Sequence, residues 1–153
     1  VGKLRIASLL AFALALLAPG TASDAGAAEP AIGVAEVTAP AASRDVDVEA
    51  LRAMVVEAVD ALDTSQVPRG AHALLSVSVV RLDARDATPA EVTCVVSATL
   101  RDRTRGVVFA VVEGSAHGQD EPRRLHGLRR ATLRAAVTSA VARVPEAMQR
   151  RRR

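Results

Sequence analysis

"EVTCVVSATLRDRTRGVVFAVVEGSA", residues 91–116, is the stretch whose reading decides the fold. Val92, Cys94, Val96, Ala98 and Leu100 share one side of an extended chain, while Glu91, Thr93, Ser97, Thr99 and Arg101 fall mostly on the other. Such one-sided alternation belongs to a strand in an antiparallel sheet with one covered face. Asp102-Arg-Thr-Arg-Gly106 then reads as a charged bend, with Gly106 available for a positive φ. Residues 107–112 return as the partner strand and continue towards Ala116. In this register Val108, Ala110 and Val112 join the covered face. Val95, Val107, Phe109 and Val111 expose apolar area on the other face, and a slip of one residue exchanges the two sets.

The flanks supply the remaining elements. Residues 31–37 are a short apolar run with Ile and Val, which predicts a first strand. Ser43 or Asp45 is placed to cap a helix, and Asp45, Asp47 and Glu49 suit the positive end of its dipole. Val48, Leu51, Val55, Ala58 and Leu62 recur at steps of three and four, with Met54 and Val59 widening the stripe, and the helix is expected to end near Asp63. Leu75, Val77 and Val79 alternate with Ser76 and Ser78 as a further strand, and residues 83–89 read as a charged turn. After the hairpin, Asp120, Glu121 and Pro122 signal a helix start. Leu125, Leu128, Leu133, Val137, Val141 and Val144 form its apolar stripe, and Pro145 ends or kinks it. The order β-α-β-β-β-α predicts an α+β, two-layer sandwich: a mainly antiparallel sheet with both helices on its apolar face.

The first residues speak to compartment. Lys3 and Arg5 precede an uncharged apolar run at 6–18, followed by Pro19-Gly20 and small residues. This pattern predicts a signal peptide over residues 1–28, cleaved after about residue 23 to 28. The run falls short of the roughly 20 residues a spanning helix needs, so no transmembrane helix is expected after cleavage. The expected location is periplasmic or secreted, with one domain at 29–149 and a basic tail at 150–153. The only cysteine is Cys94, which leaves no lipid-accepting cysteine after the apolar run and no internal disulfide. It reads as a small buried apolar residue. Lys3 is the only lysine, and loss of the leader brings the net charge of +3 down to +1 or +2. Phe109 is the one aromatic outside the leader. Stacking platforms need several aromatics, so nucleic acid is not an expected partner.

Residues 31–148 resemble a group of bacterial envelope proteins, the curli-secretion family (CsgG-like) and the lipoprotein activators of penicillin-binding proteins (LpoB-like). The likeness lies in the element order and in "GAHALLSVSVVRLDA" (70–84), "VVSATLRDRTRGVVFAVVEGSA" (95–116) and the Ala-rich last helix ending in Val144-Pro145. The sequence departs from the group in lacking the lipid-accepting cysteine. Arg105 also lengthens the Asp-x-x-Thr-Gly hairpin by one residue, and Phe109 stands near a position where relatives often carry tryptophan. The resemblance implies a non-enzymatic envelope adaptor.

Little in the chain points to catalysis. The glycine stretch lacks the lysine and the strand-then-helix context of a phosphate loop. Arg101, Arg103 and Arg105 form either an anion-attracting tip or a solvated hairpin end that blunts aggregation. His117 and His126 flank Asp120 and Glu121, but without metal-ligand spacing no metal or cofactor is expected. Ser115 and His117, two apart on a strand, are separated by about 6.5–7 Å, too far for a direct nucleophile–base hydrogen bond. A small secreted hydrolase built on Ser115, His117 and His126 is therefore the alternative reading, as is a peripheral module touching anionic membrane weakly through the arginine-rich helix and tail. The leading expectation is an exported, non-enzymatic envelope adaptor or assembly domain that binds another envelope protein or itself. Its candidate interaction residues are Val95, Val107, Phe109, Val111, Arg101, Arg103 and Arg105.

Overall fold

The computed structural model describes residues 30–40 and 46–151. The expected leader, the caps at Ser43 and Asp45, and Arg152 and Arg153 lie outside the described residues. Within them the chain runs β1 (Ile32–Thr38), α1 (Val48–Asp60), β2 (Ala73–Arg85), β3 (Ala90–Asp102), β4 (Val108–Asp120), α2 (Leu125–Val141) and α3 (Val144–Arg150). The strands form one sheet in the order β1-β2-β3-β4. β1 and β2 are parallel, because α1 carries the chain back between them; the β2–β3 and β3–β4 pairs are antiparallel hairpins. This is the α+β, two-layer arrangement that the alternation calls for, with α1 and α2 packed on the same apolar face.

β3 is the axis of the core. Val92, Cys94, Val96, Ala98 and Leu100 are all fully buried, and their neighbours on the strand face the open side. Leu51 and Val55 from α1 and Val137 and Val141 from α2 close over them. Each such Leu or Val contributes about 2 kcal/mol of burial. Burial also pushes the Cys94 thiol up to about 11, since a thiolate there would lose its hydration.

β2 extends beyond the expected strand. Residues 83–85 belong to it rather than to the turn, because a bulge between Val79 and Arg81 changes the phase of the alternation. Leu75, Val77 and Val79 face the core before the bulge; Leu82 and Ala84 pair with Cys94 and Val92 after it. The extra residue, Val80, stays on the outside. Without the bulge Arg81, Asp83 and Arg85 would be driven inward; instead Arg81 pairs with Asp83 at 3.0 Å on the open side.

The helix caps are local. Asp47 caps α1, its Oδ1 accepting from the amides of Glu49 at 2.9 Å and Ala50 at 3.3 Å. Leu51, Met54 and Val55 are buried as expected, whereas Val48 in the first turn is exposed. β4 runs through Asp120, so Pro122 opens a single 3-10 turn and α2 begins only at Leu125. Pro145 marks the break after which α3 continues, burying Val144 and Met148.

α2 and β4 approach each other closely, backbone to backbone. A Cβ on Gly114 would lie 2.3 Å from both the Ala136 carbonyl oxygen and the Ala140 nitrogen. On Gly118 it would meet the side chains of Leu128 at 2.8 Å and Thr132 at 2.9 Å. Glycine within a strand marks such an approach by another backbone. Gly114→Ala is expected to cost about 3 kcal/mol by overpacking, because its obstacle is backbone, and Gly118→Ala about 1 kcal/mol, because side chains can move; urea-unfolding midpoints of the two variants check the order. Cys94 is expected to resist iodoacetamide in the native chain at neutral pH and to react fully in denaturant, as read by mass spectrometry.

Candidate interaction surface

The face of the sheet opposite the helices is a field of small polar side chains with apolar and charged ones set into it. Ser76, Ser78, Ser97, Thr99 and Ser115 occupy its middle, in cross-strand rows such as Ser76–Thr99–Val111 and Ser78–Ser97–Glu113. Val80 (55% exposed), Val111 (58%) and Val108 (47%) stand open on it, and Val95 lies half-buried opposite Ser115. Val107 is open too, at the start of the returning strand.

Phe109 is not part of this face. A bulge between Leu100 and Arg101 leaves Ala110 paired with Leu100 and Val108 paired with Arg101, so Phe109 is the extra residue. Its ring turns to the helix side, packs against the core and lies 4.7 Å beneath the Arg151 guanidinium. Val108 takes the open position instead, which exchanges these two residues relative to the expected register while leaving Val111 outside and Val112 inside. The run Val107-Val-Phe-Ala-Val-Val112 is apolar throughout, so the bulge leaves no trace in its pattern.

The three arginines of the hairpin part company. Arg101 is exposed on the open face, and Arg105 is exposed in the bend. Arg103 lies back across the end of the sheet, its Nη2 3.1 Å from where a Cβ on Gly33 would be. The bend itself is held by Asp102, whose Oδ1 accepts from the amides of Thr104 at 2.8 Å and Arg105 at 2.7 Å. Gly106 completes it at φ +68°. Asp102 Oδ2 accepts from Arg151. The amide of Arg105 and then the Arg151 side chain hold the Asp102 carboxyl down at about 2. Arg150, within α3, pairs with Glu146 at 2.6 Å. Both of the described tail arginines thus engage acids of the same chain.

Ser115 and His117 lie on the open face of β4, and His117 Nδ1 shares a 3.1 Å hydrogen bond with Thr93 Oγ1 rather than with a carboxylate. His126 belongs to α2 on the other side of the sheet, so the three residues of the hydrolase reading do not meet. His72 sits where β2 begins, its carbonyl accepting from the Arg103 amide. Among the described residues no group of three His, Cys, Asp or Glu side chains could hold a metal ion, and no helix is long and apolar enough to cross a membrane.

β4 is also an edge strand. Arg143 Nη1 donates to the outward carbonyl of Glu113 at 2.8 Å, which occupies one of the positions a pairing strand would use. Sequence patterning missed this contact, as nothing at Arg143 distinguishes it from its neighbouring arginines.

The fold is similar to that of solved bacterial proteins. A Xanthomonas campestris protein of the DUF330 family matches with a TM-score of 0.60 at 15% identity, covering 79% of this chain and 86% of that one. The dodecameric PelC of Paraburkholderia phytofirmans matches with a TM-score of 0.46 at 13% identity, covering 73% and 88%. A minor lipoprotein of Acinetobacter baumannii matches with a TM-score of 0.42 at 10% identity, covering 80% and 94%. No family model and no curated protein matches the sequence. At these identities the likeness concerns the fold alone.

The Asp102 clamp carries a pH signature. Its folded-state pKa lies below the roughly 3.9 of an unfolded aspartate. The ionised clamp therefore stabilises the fold above about pH 4, and that contribution is lost as pH falls towards about 2. Thermal midpoints of the wild type and Asp102→Asn should differ at pH 7, with the wild type higher, and converge by about pH 2.

Proposed function

We propose that this chain is an exported, non-enzymatic binding domain of the bacterial envelope, and that it docks another envelope protein or a second copy through the open face of its sheet. The observation that carries the reading is the one-sided covering of the long strands β2, β3 and β4. The helices bury one face, while Val80, Val95, Val108 and Val111 remain on the other. Ser, Thr and Val dominate the middle of that face, and the charges set among them are Glu113 and the mutually paired Arg81 and Asp83. Short side chains lose little rotamer freedom on docking, the hydroxyls can pair with partner groups, and the apolar groups gain by burial. Arg101 at one end supplies a directional charge. Export rests on the leader pattern of residues 1–28. The separation of Ser115 and His117 from His126 gives the hydrolase reading no assembled site.

A photo-crosslinking side chain placed at Val95 in cells should give a discrete adduct, and the same group at Val56 on the outer side of α1 should not. Adding Val111→Glu should reduce the Val95 adduct by about tenfold, the effect expected of a charge placed in a desolvated contact. Equal adducts from Val56 and Val95, or indifference to Val111→Glu, would count against the open face.

A further inference from the structure

The bulge at Val80 has a second effect, on the helix side of the sheet. By turning Leu82 inward it gives an apolar floor to a groove that opens between the first turns of α1 and α2, with a volume of about 380 Å³. Leu82 lines it half-buried together with Val46 and Ala50, over the closely buried Leu51, Met54 and Leu133. His126, Arg129 and Arg130 stand over it, three and four residues apart on α2 and so on adjoining sides of one helix face. Asp47 is the carboxylate in the lining, and its Oδ1 already serves the amides of Glu49 and Ala50. Among the described lining residues Arg129 and Arg130 outnumber Asp47, and Arg129 is itself engaged within the chain.

This combination selects a chemistry. The volume lies within the roughly 300–1,000 Å³ range of small-molecule sites. Water fills an apolar floor poorly because each buried molecule needs about two to four polar partners, whereas an alkyl chain needs none. A guanidinium at the mouth matches the planar carboxylate by paired N–H···O bonds. We propose that the groove binds a medium-chain fatty carboxylate. Its tail lies along Val46, Ala50 and Leu82, above Met54 and Leu133, and its head meets Arg130, with His126 beside it. The site is separate from the docking face, since the sheet lies between them, and either reading can fail without the other.

The test uses the full exported chain and a fluorescent anionic probe, 1-anilinonaphthalene-8-sulfonate, displaced by dodecanoate or by dodecanol, which has the same tail without the acid. Saturable probe binding is expected, with dodecanoate displacing it at about tenfold lower concentration than dodecanol. Arg130 is exposed, so Arg130→Glu should keep the fold and its circular-dichroism spectrum. It should weaken dodecanoate about tenfold while leaving dodecanol unchanged. Ala50→Trp, which fills the groove, should block both. Equal displacement by acid and alcohol overturns the proposal, as does indifference to Arg130→Glu. Probe binding lost in Val111→Lys but kept in Ala50→Trp would place the amphiphile on the open face and overturn it as well. Exclusion of the probe by concentration-dependent dimerisation would assign the groove to a second copy instead.

Discussion

The backbone contact between α2 and β4 is the constraint on which the rest depends. Gly114 and Gly118, with Ala116 between them, make the inner side of β4 a shallow strip. Thr132, Ala136 and Ala140 give α2 a matching flat side, and all three are buried. The helix therefore rests on the strand with almost no side-chain layer between them, and dispersion between closely packed backbones takes the place of interlocking side chains. Along this contact, from Gly114 to Gly118, the strand has its larger side chains on the outside, while Phe109 and Val112 face the helix side nearer the hairpin. The openness of the other face follows from this choice, since the bulk that β4 lacks inside appears outside as Val111, Glu113 and His117.

The sequence made the fold legible wherever one period dominated. β3 alternates without interruption, and its five inward residues were readable one by one. The stripe of α1 was equally plain, except at Val48, where the first turn leaves its side chain in solvent. β2 was readable only to Val79, because its pattern changes phase at Val80 and residues 83–89, charged and rich in turn formers, then read as a turn. Yet the alternation of Leu82 and Ala84 with Arg81, Asp83 and Arg85 is itself a strand signature once a bulge is allowed. β4 was ambiguous at its start, where consecutive apolar residues satisfy either register.

The candidate surface was legible in the same measure. Val95 and Val111 follow from the period of two and lie on the open face. Phe109 does not, because the bulge is set by backbone pairing near the hairpin, and the ring gains an arginine partner from the far end of the chain. Arg151 on Asp102 and Arg143 on Glu113 are contacts between residues 49 and 30 positions apart. Patterns confined to a short window carry no information about them. The basic groove was out of reach for a related reason, since its floor joins Leu82 to residues of two helices that only the bulge brings together.

The Asp102–Arg151 pair ties the C-terminal helix to the hairpin at one end of the sheet, and the Ala73 amide meets the Ala31 carbonyl at that same end. The path in and the path out of the domain thus share a pole. The opposite pole, where Arg85 and Glu91 face each other, stands a strand's length away, about 40 Å for twelve residue steps. Tension applied at the two ends of the described chain would therefore bear on the pole of the Asp102 bend, a strand's length from the Arg85–Glu91 pole, with the open sheet face as the flank between them.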